Sequence, residues 1–245
     1  MHQSHSTSSK GTNHRPKISC IICAYNEATR IGNVLSVVST FNDFDEVIVV
    51  DDGSCDDTFA VASKFPVTVL KHVKNKGKAA AMFTGFQKSR GDIIVLLDSD
   101  LVGLTHANLQ ALLKPILHEK CAAFVLVANT WPIFHFEGVD AWTGERAFPR
   151  KILEDVFLNP HVVQQKYSIE CYINQAILKN KLPIYSISWK NVINVQKKDK
   201  EEGNLVGRIK DLKMFWNVYS SFGFAPTLLQ QIKIPRVART YRNHI

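Results

Sequence analysis

The sequence predicts an α/β fold in which a mostly parallel central sheet carries helices on both faces. Three observations lead there. From Lys17 onward, strand-like and helix-like segments alternate, the mark of βαβ units. The strand-like segments are near-continuous apolar runs, such as IIVLL at 93–97, which suits strands covered on both sides. The 45% apolar content is ample for one sizeable core.

The elements follow in order. ISCIICA (18–24) is predicted as a strand and EATRIGNVLSVVST (27–40), with apolar residues at helical spacing, as a helix. DEVIVVDD (45–52) is the second strand, DDTFAVASKF (56–65) a helix, and VTVLKHV (67–73) the third strand. GKAAAMFTGFQKS (77–89) reads as a helix and GDIIVLLDSD (91–100) as the fourth strand. THANLQALLKPILHEK (105–120) and CAAFVLVAN (121–129) add one helix and one strand. Then the rhythm breaks: residues 131–150 are rich in aromatics and poor in helical period. RKILEDVF and KYSIECYINQAILKN read as helices and LPIYSISW as a late strand. From Leu205 to Phe224, apolar residues interleaved with Lys and Arg predict an amphipathic helix. Residues 1–17 are polar and without periodicity, and are expected to form a disordered tail lacking the apolar segment of a signal peptide.

Charge and cysteines narrow the setting. The net charge is +8, and residues 190–245 hold 11 Lys and Arg against 4 Asp and Glu, so nearly all the excess lies in the C-terminal quarter. That segment, 205–245, suits either an anionic membrane surface or packing on its own domain. No nucleic-acid motif accompanies it. No window approaches the ~18 apolar residues of a membrane span. Cys20-x-x-Cys23 lies in an apolar strand, where residues three apart point to opposite faces, so buried reduced thiols are expected rather than half a zinc site. The expected location is cytoplasmic, with association to the cytosolic face of a membrane left open.

The functional signal sits at the strand ends. The first strand ends in Ala24-Tyr25-Asn26-Glu27, the second in Asp51-Asp52-Gly53-Ser54, and the fourth in Asp98-Ser99-Asp100. In open parallel sheets, ligands bind beyond the carboxyl ends of the strands. One acidic strand end is usually a cap or a solvated turn. Three on one edge repel one another, and a bound divalent cation relieves the repulsion. No GxGxxG or GxxxxGK[ST] loop is present to hold phosphate instead. Asn75-Lys76-Gly77-Lys78 places two lysines at a helix start, a setting for an anion or simply a basic turn. Carboxylates, a cation and a nearby lysine together suit a diphosphate.

ICAYNEATRIG, VIVVDDGSCDDT, NKGKAAAMFTGF and GDIIVLLDSDL, in that order, resemble family 2 glycosyltransferases of the GT-A fold. The likeness covers roughly 18–127 and continues through TGERAFPR and YSIECYIN. It implies a Rossmann-like three-layer sandwich, with 18–130 as the nucleotide-sugar half and 131–204 as the acceptor half. By that resemblance, Ala24, Tyr25, Asn26 and Glu27 line a nucleoside pocket and Asp51 or Asp52 contacts the base, with uracil expected over guanine. Lys78 approaches the diphosphate, Asp98 and Ser99 border the ribose, and Asp98 and Asp100 hold Mn2+ or Mg2+.

The resemblance further implies an inverting displacement that moves a hexose from a nucleotide sugar. For a hydroxyl acceptor, Glu170 or Glu145 is the base, with Glu170 favoured. A phosphate acceptor, such as a polyprenyl phosphate, needs no base, since its second pKa lies near ~6. Gly144, Arg146 and Arg150 would then hold it. Relatives often carry a late metal-binding histidine; here Asn194 stands about there, which leaves open a nucleotide-sugar-binding subunit without catalysis.

Overall fold

The fold is a computed structural model that describes residues 15–128, 135, 136, 139–165, 168–195, 216, 220 and 222–240. The N-terminal half follows the predicted alternation. Its elements are β1 (Ile18–Ala24), α1 (Ile31–Val38), β2 (Glu46–Asp51), α2 (Thr58–Ala62), β3 (Thr68–Lys71), α3 (Lys78–Lys88) and β4 (Ile93–Asp98). A two-residue strand, β5 (Leu101–Val102), leads to α4 (His106–His118) and β6 (Ala122–Val127). Thr105 caps α4 by accepting from the Asn108 N–H, and the Asn108 side chain returns to the Thr105 N–H.

Beyond residue 130 the chain forms β7 (His135–Phe136), β8 (Val139–Asp140), β9 (Arg146–Pro149), α5 (Lys151–Phe157), α6 (His161–Gln164), α7 (Ile169–Lys179), β10 (Ile184–Trp189) and β11 (Ile193–Asn194). A last helix, α8 (Phe224–Val237), precedes β12 (Ala238–Thr240). The helix expected over 205–224 lies outside the described residues, apart from single positions.

Eight strands form one sheet in the order β12-β10-β6-β9-β4-β1-β2-β3. All pairings are parallel except those of β9, which runs antiparallel between β4 and β6. The stretch that reads as irregular therefore supplies a central strand, and the two halves of the sequence share one sheet. Because β9 runs against its neighbours, residue 145 lies at the carboxyl edge of β4, whereas Pro149 pairs with Ile93 at the opposite edge.

Two apolar layers flank the sheet. On one face Cys20, Ile22, Val49 and Val95 pack against α1, α2 and α4; on the other, Ile21, Ile94 and Leu96 pack against α3, α5 and α7. Alternate residues of β1 and β4 thus bury on both sides, the reason their sequences show no polar alternation. Cys20 and Cys23 face opposite layers as expected. All five cysteines are free; Cys55 is exposed, against the expectation of burial, because it lies in the loop after β2.

The turn after the two carboxylates of the fourth strand is clamped. β5 pairs antiparallel with β11, setting Leu101 beside Asn194. Asn191 donates to the Gly103 carbonyl at 2.8 Å and exchanges bonds with Asn108. Gly103 has φ +84°, and a Cβ there would overlap the Asn191 carbonyl oxygen. Gly103→Ala is therefore expected to lower stability by roughly 1–3 kcal/mol, the cost of a strained backbone, measured by urea unfolding.

Candidate functional site

The register of the sheet brings the predicted strand ends together. Ala24 pairs with Asp51, and Cys23 pairs with Asp98. Above them opens a cavity of about 410 Å³ whose lining includes Ala24, Tyr25, Glu27, Asp52, Asn75, Gly77, Lys78, Asp98, Ser99 and Asp100. A larger cavity, about 590 Å³ between α5, α7 and α8, is lined by none of these residues.

Among the nucleoside-pocket candidates, Tyr25 is 45% exposed and lines the cavity. Asn26, at φ +56°, does structural work: its N–H donates to Ser54 Oγ at 2.9 Å and its Oδ1 accepts from the Cys55 N–H at 2.9 Å. Asn tolerates that left-handed conformation because its short polar side chain bonds locally. The Glu27 N–H donates to Thr58 Oγ1, and its carboxylate pairs with Arg30 at 3.1 Å.

The two aspartates of the second strand end differ. Asp51 is fully buried; its Oδ1 accepts from the Ser54 N–H, and its Oδ2 has no hydrogen bond but faces Lys71 Nζ at 3.7 Å. Asp52 cradles the basic turn, accepting from the N–H groups of Lys76 (3.0 Å) and Gly77 (2.7 Å). His72 Nδ1–H donates to Asp52 Oδ1 at 2.6 Å, while Nε2 meets Thr84 Oγ1 at 2.9 Å. His72 belongs to no motif, and its only signal in the sequence is its place one residue past β3. Gly53 allows this arrangement: at φ +74°, a Cβ would stand 2.5 Å from the Asn75 nitrogen.

At the centre, Lys78 Nζ lies 2.9 Å from both Asp98 Oδ1 and Glu170 Oε1. Burial presses its pKa down, but Asp98 and Glu170 outweigh that and hold it well above the usual lysine value. Gly144 packs directly on the Asp98 carboxyl, since a Cβ would stand 2.5 Å from Asp98 Cγ. Glu145 is fully buried, accepting from the Thr143 hydroxyl at 2.7 Å and from Asn194 Nδ2 at 3.2 Å. Burial first, and the charge of Asp98 second, push its pKa up to about 8.

Of the two base candidates, Glu170 borders Asp98 through Lys78, whereas both oxygens of Glu145 are engaged inside the protein. The arginines are placed elsewhere. Arg146 is wholly buried, bonded to the Thr143 carbonyl and Asn174 Oδ1, with its guanidinium over the Phe124 ring. Burial pulls its pKa below the usual arginine value, against the opposing carboxylates of Glu170, Asp140 and Glu145. Arg150 lies at the opposite edge of the sheet, bonded to Ser89 Oγ at 2.9 Å and stacked on Phe86. Neither lines that cavity: the antiparallel direction of β9 directs Arg146 into the core and leaves Arg150 at the far edge of the sheet.

Asp98 and Asp100 supply hard oxygen donors of the kind Mn2+ and Mg2+ take. Among the described residues, no three His, Cys, Asp or Glu side chains gather as a closed metal site. The pair fits a metal whose remaining ligands come from a bound diphosphate.

Residues 19–182 match the pattern of "Glycosyl transferase family 2". The chain belongs to this family. It is 38% identical over 96 residues to a dolichol-phosphate mannosyltransferase of Pyrococcus furiosus, across 35% of this chain and 26% of that protein. It is 37% identical over 100 residues to a human dolichyl-phosphate beta-glucosyltransferase, across 34% and 31%. The matches thus span about a third or less of these two relatives. Among solved structures, glucosyl-3-phosphoglycerate synthase from Mycobacterium tuberculosis, in complex with Mn2+, UDP and glucosyl-3-phosphoglycerate, superposes with a TM-score of 0.65 at 19% identity, over 84% of this chain and 79% of that one. That likeness supports the shared fold.

Two outcomes follow from these contacts. Gly144→Ala is expected to push the Asp98 carboxyl aside and to lower stability by roughly 1–3 kcal/mol, the cost of overpacking, measured by urea unfolding. Glu145 holds its proton more tightly folded than unfolded, so its contribution falls as pH rises from the ordinary value of 4.5 toward about 8. Glu145→Gln should therefore gain melting temperature relative to the parent as pH climbs through that window, and show no growing gain below it.

Proposed function

We propose that this chain is an inverting glycosyltransferase that uses a divalent metal to move a hexose from a UDP-linked sugar to a phosphate-bearing acceptor, with polyprenyl phosphate as the leading class. The observation that carries the reading is the gathering of Tyr25, Lys78, Asp98 and Asp100 around one cavity. An aromatic face, a lysine and two hard carboxylates match the base, the diphosphate and the metal of such a donor.

Asp98 and Asp100 would hold the metal, which when bound supplies Lewis-acid stabilisation of the departing diphosphate. Lys78, at the first turn of α3, would place its ammonium and the helix's unpaired N–H groups beside the same charge. An acceptor oxygen forms its bond to the anomeric carbon as the bond to the UDP oxygen breaks, on the opposite face, with inversion. A phosphate oxygen is already anionic near neutral pH, so no protein base is required.

The names of the relatives support a lipid-linked phosphate: the matched proteins include dolichol- and undecaprenyl-phosphate transferases. α8 supports it too, since Phe224, Leu228 and Ile232 are exposed at four-residue spacing beside Lys233 and Arg236. Such a face suits contact with an anionic membrane. No described helix is long and apolar enough to cross one.

A second reading rests on Glu170, which stands in the site and would act as base toward a soluble sugar hydroxyl. A nucleotide-sugar-binding subunit without catalysis is the third.

Asp100→Asn is expected to lower transfer from UDP-hexoses to a polyprenyl phosphate in Mn2+ at least about a hundredfold, given the several kcal/mol a Lewis acid supplies. Full turnover in that variant would refute the reading. Glu170→Gln separates the acceptors: transfer to phosphate persists, whereas transfer to a hydroxyl is lost.

A further inference from the structure

The position of Lys78 raises a question that the donor site alone does not answer. Its ammonium stands at 2.9 Å from Asp98 and at 2.9 Å from Glu170, with about a third of the side chain exposed. Two carboxylates at that spot would attract a divalent cation as well. A unit charge already there opposes a second cation, and at a few ångströms that repulsion is strong even where water screens part of it. A lysine stem is flexible and its ammonium has three donors that can be re-aimed. Its Cα opens α3 after Gly77, whose backbone N–H donates to Asp52, so the root is anchored while the four-carbon stem lets the tip exchange one anionic partner for another.

We propose that Lys78 is a built-in counter-ion that makes metal binding conditional on the nucleotide. Without a diphosphate, the ammonium neutralises Asp98 and Glu170 and repels the metal. A bound diphosphate draws the ammonium onto its own oxygens, releasing Asp98 to the metal and uncovering Glu170. Metal and nucleotide then enter together, and the bare cation is held weakly. This rests on the reading of the cavity as a nucleotide-sugar site.

The test measures Mn2+ affinity without nucleotide, from the electron paramagnetic resonance signal of free Mn2+, and UDP affinity at fixed Mn2+ by calorimetry. Lys78→Met and Lys78→Gln remove the charge, the second keeping a polar tip. Both are expected to bind Mn2+ alone about tenfold tighter than the parent and UDP about tenfold weaker, a factor of ten being a modest share of the Coulomb interaction above. Lys78→Arg retains the cation and should keep Mn2+ alone weakly bound. Lys88→Met, at the far end of α3, makes the same change in net charge and should move neither value more than about twofold. If whichever neutral variant melts like the parent binds Mn2+ alone no tighter than the parent, the proposal is overturned. If the parent itself binds no UDP in Mn2+, the donor-site reading fails first and is recognised by that result.

Discussion

The side-by-side register of β1, β2 and β4 decides where the strand-end carboxylates of the site lie. Ala24 falls beside Asp51, and Cys23 beside Asp98, because the three strands run parallel and end level. Strand side chains alternate between faces, so a slip of one residue would turn each carboxylate to the other side. The apolar cost of such a slip fixes the register: it would exchange the two buried layers that pack on α1 and α3. The core thus places the chemistry, and no strand end does so alone.

Several acidic side chains crowd this edge, and the fold treats them in different ways. Asp52 is satisfied by backbone N–H groups and His72 and acts as a brace for the basic turn. Glu145 is buried so fully that its proton is retained into the neutral range. Asp98 and Glu170 share a lysine. Equal charges in the sequence are therefore unequal in the site, and the difference lies in what surrounds each one.

The sheet and its helices were legible in the sequence because each depends on local pattern: apolar runs and helical spacing. Polar strand ends and a basic helix start singled out Tyr25, Lys78, Asp98 and Asp100, which the fold brings to one cavity. The remainder depends on tertiary placement. RAFP is short, begins with an arginine, ends in a proline and lies between Glu145 and Arg150, so nothing in it announces a central strand. Arg146 reads as a surface cation until Thr143, Asn174 and Phe124 close around it. α8 buries Thr227 and Gln230 while exposing Phe224 and Leu228, the reverse of ordinary patterning. His72 gains its role from a neighbour 20 residues away in sequence.

The insertion of β9 between β4 and β6 has a consequence for how the chain assembles. β3, β2, β1 and β4 all lie before residue 99 of the chain, whereas β9 begins only at Arg146. During synthesis β4 therefore remains an open edge of IIVLL, rich in β-formers and free of charge, until its partners at least 50 positions downstream arrive. Contacts of that sequence separation form slowly, and such an edge is the kind that recruits foreign strands in the interval. Ala147 and Phe148, both wholly buried, therefore do two things at once: they complete the core and they end this exposure.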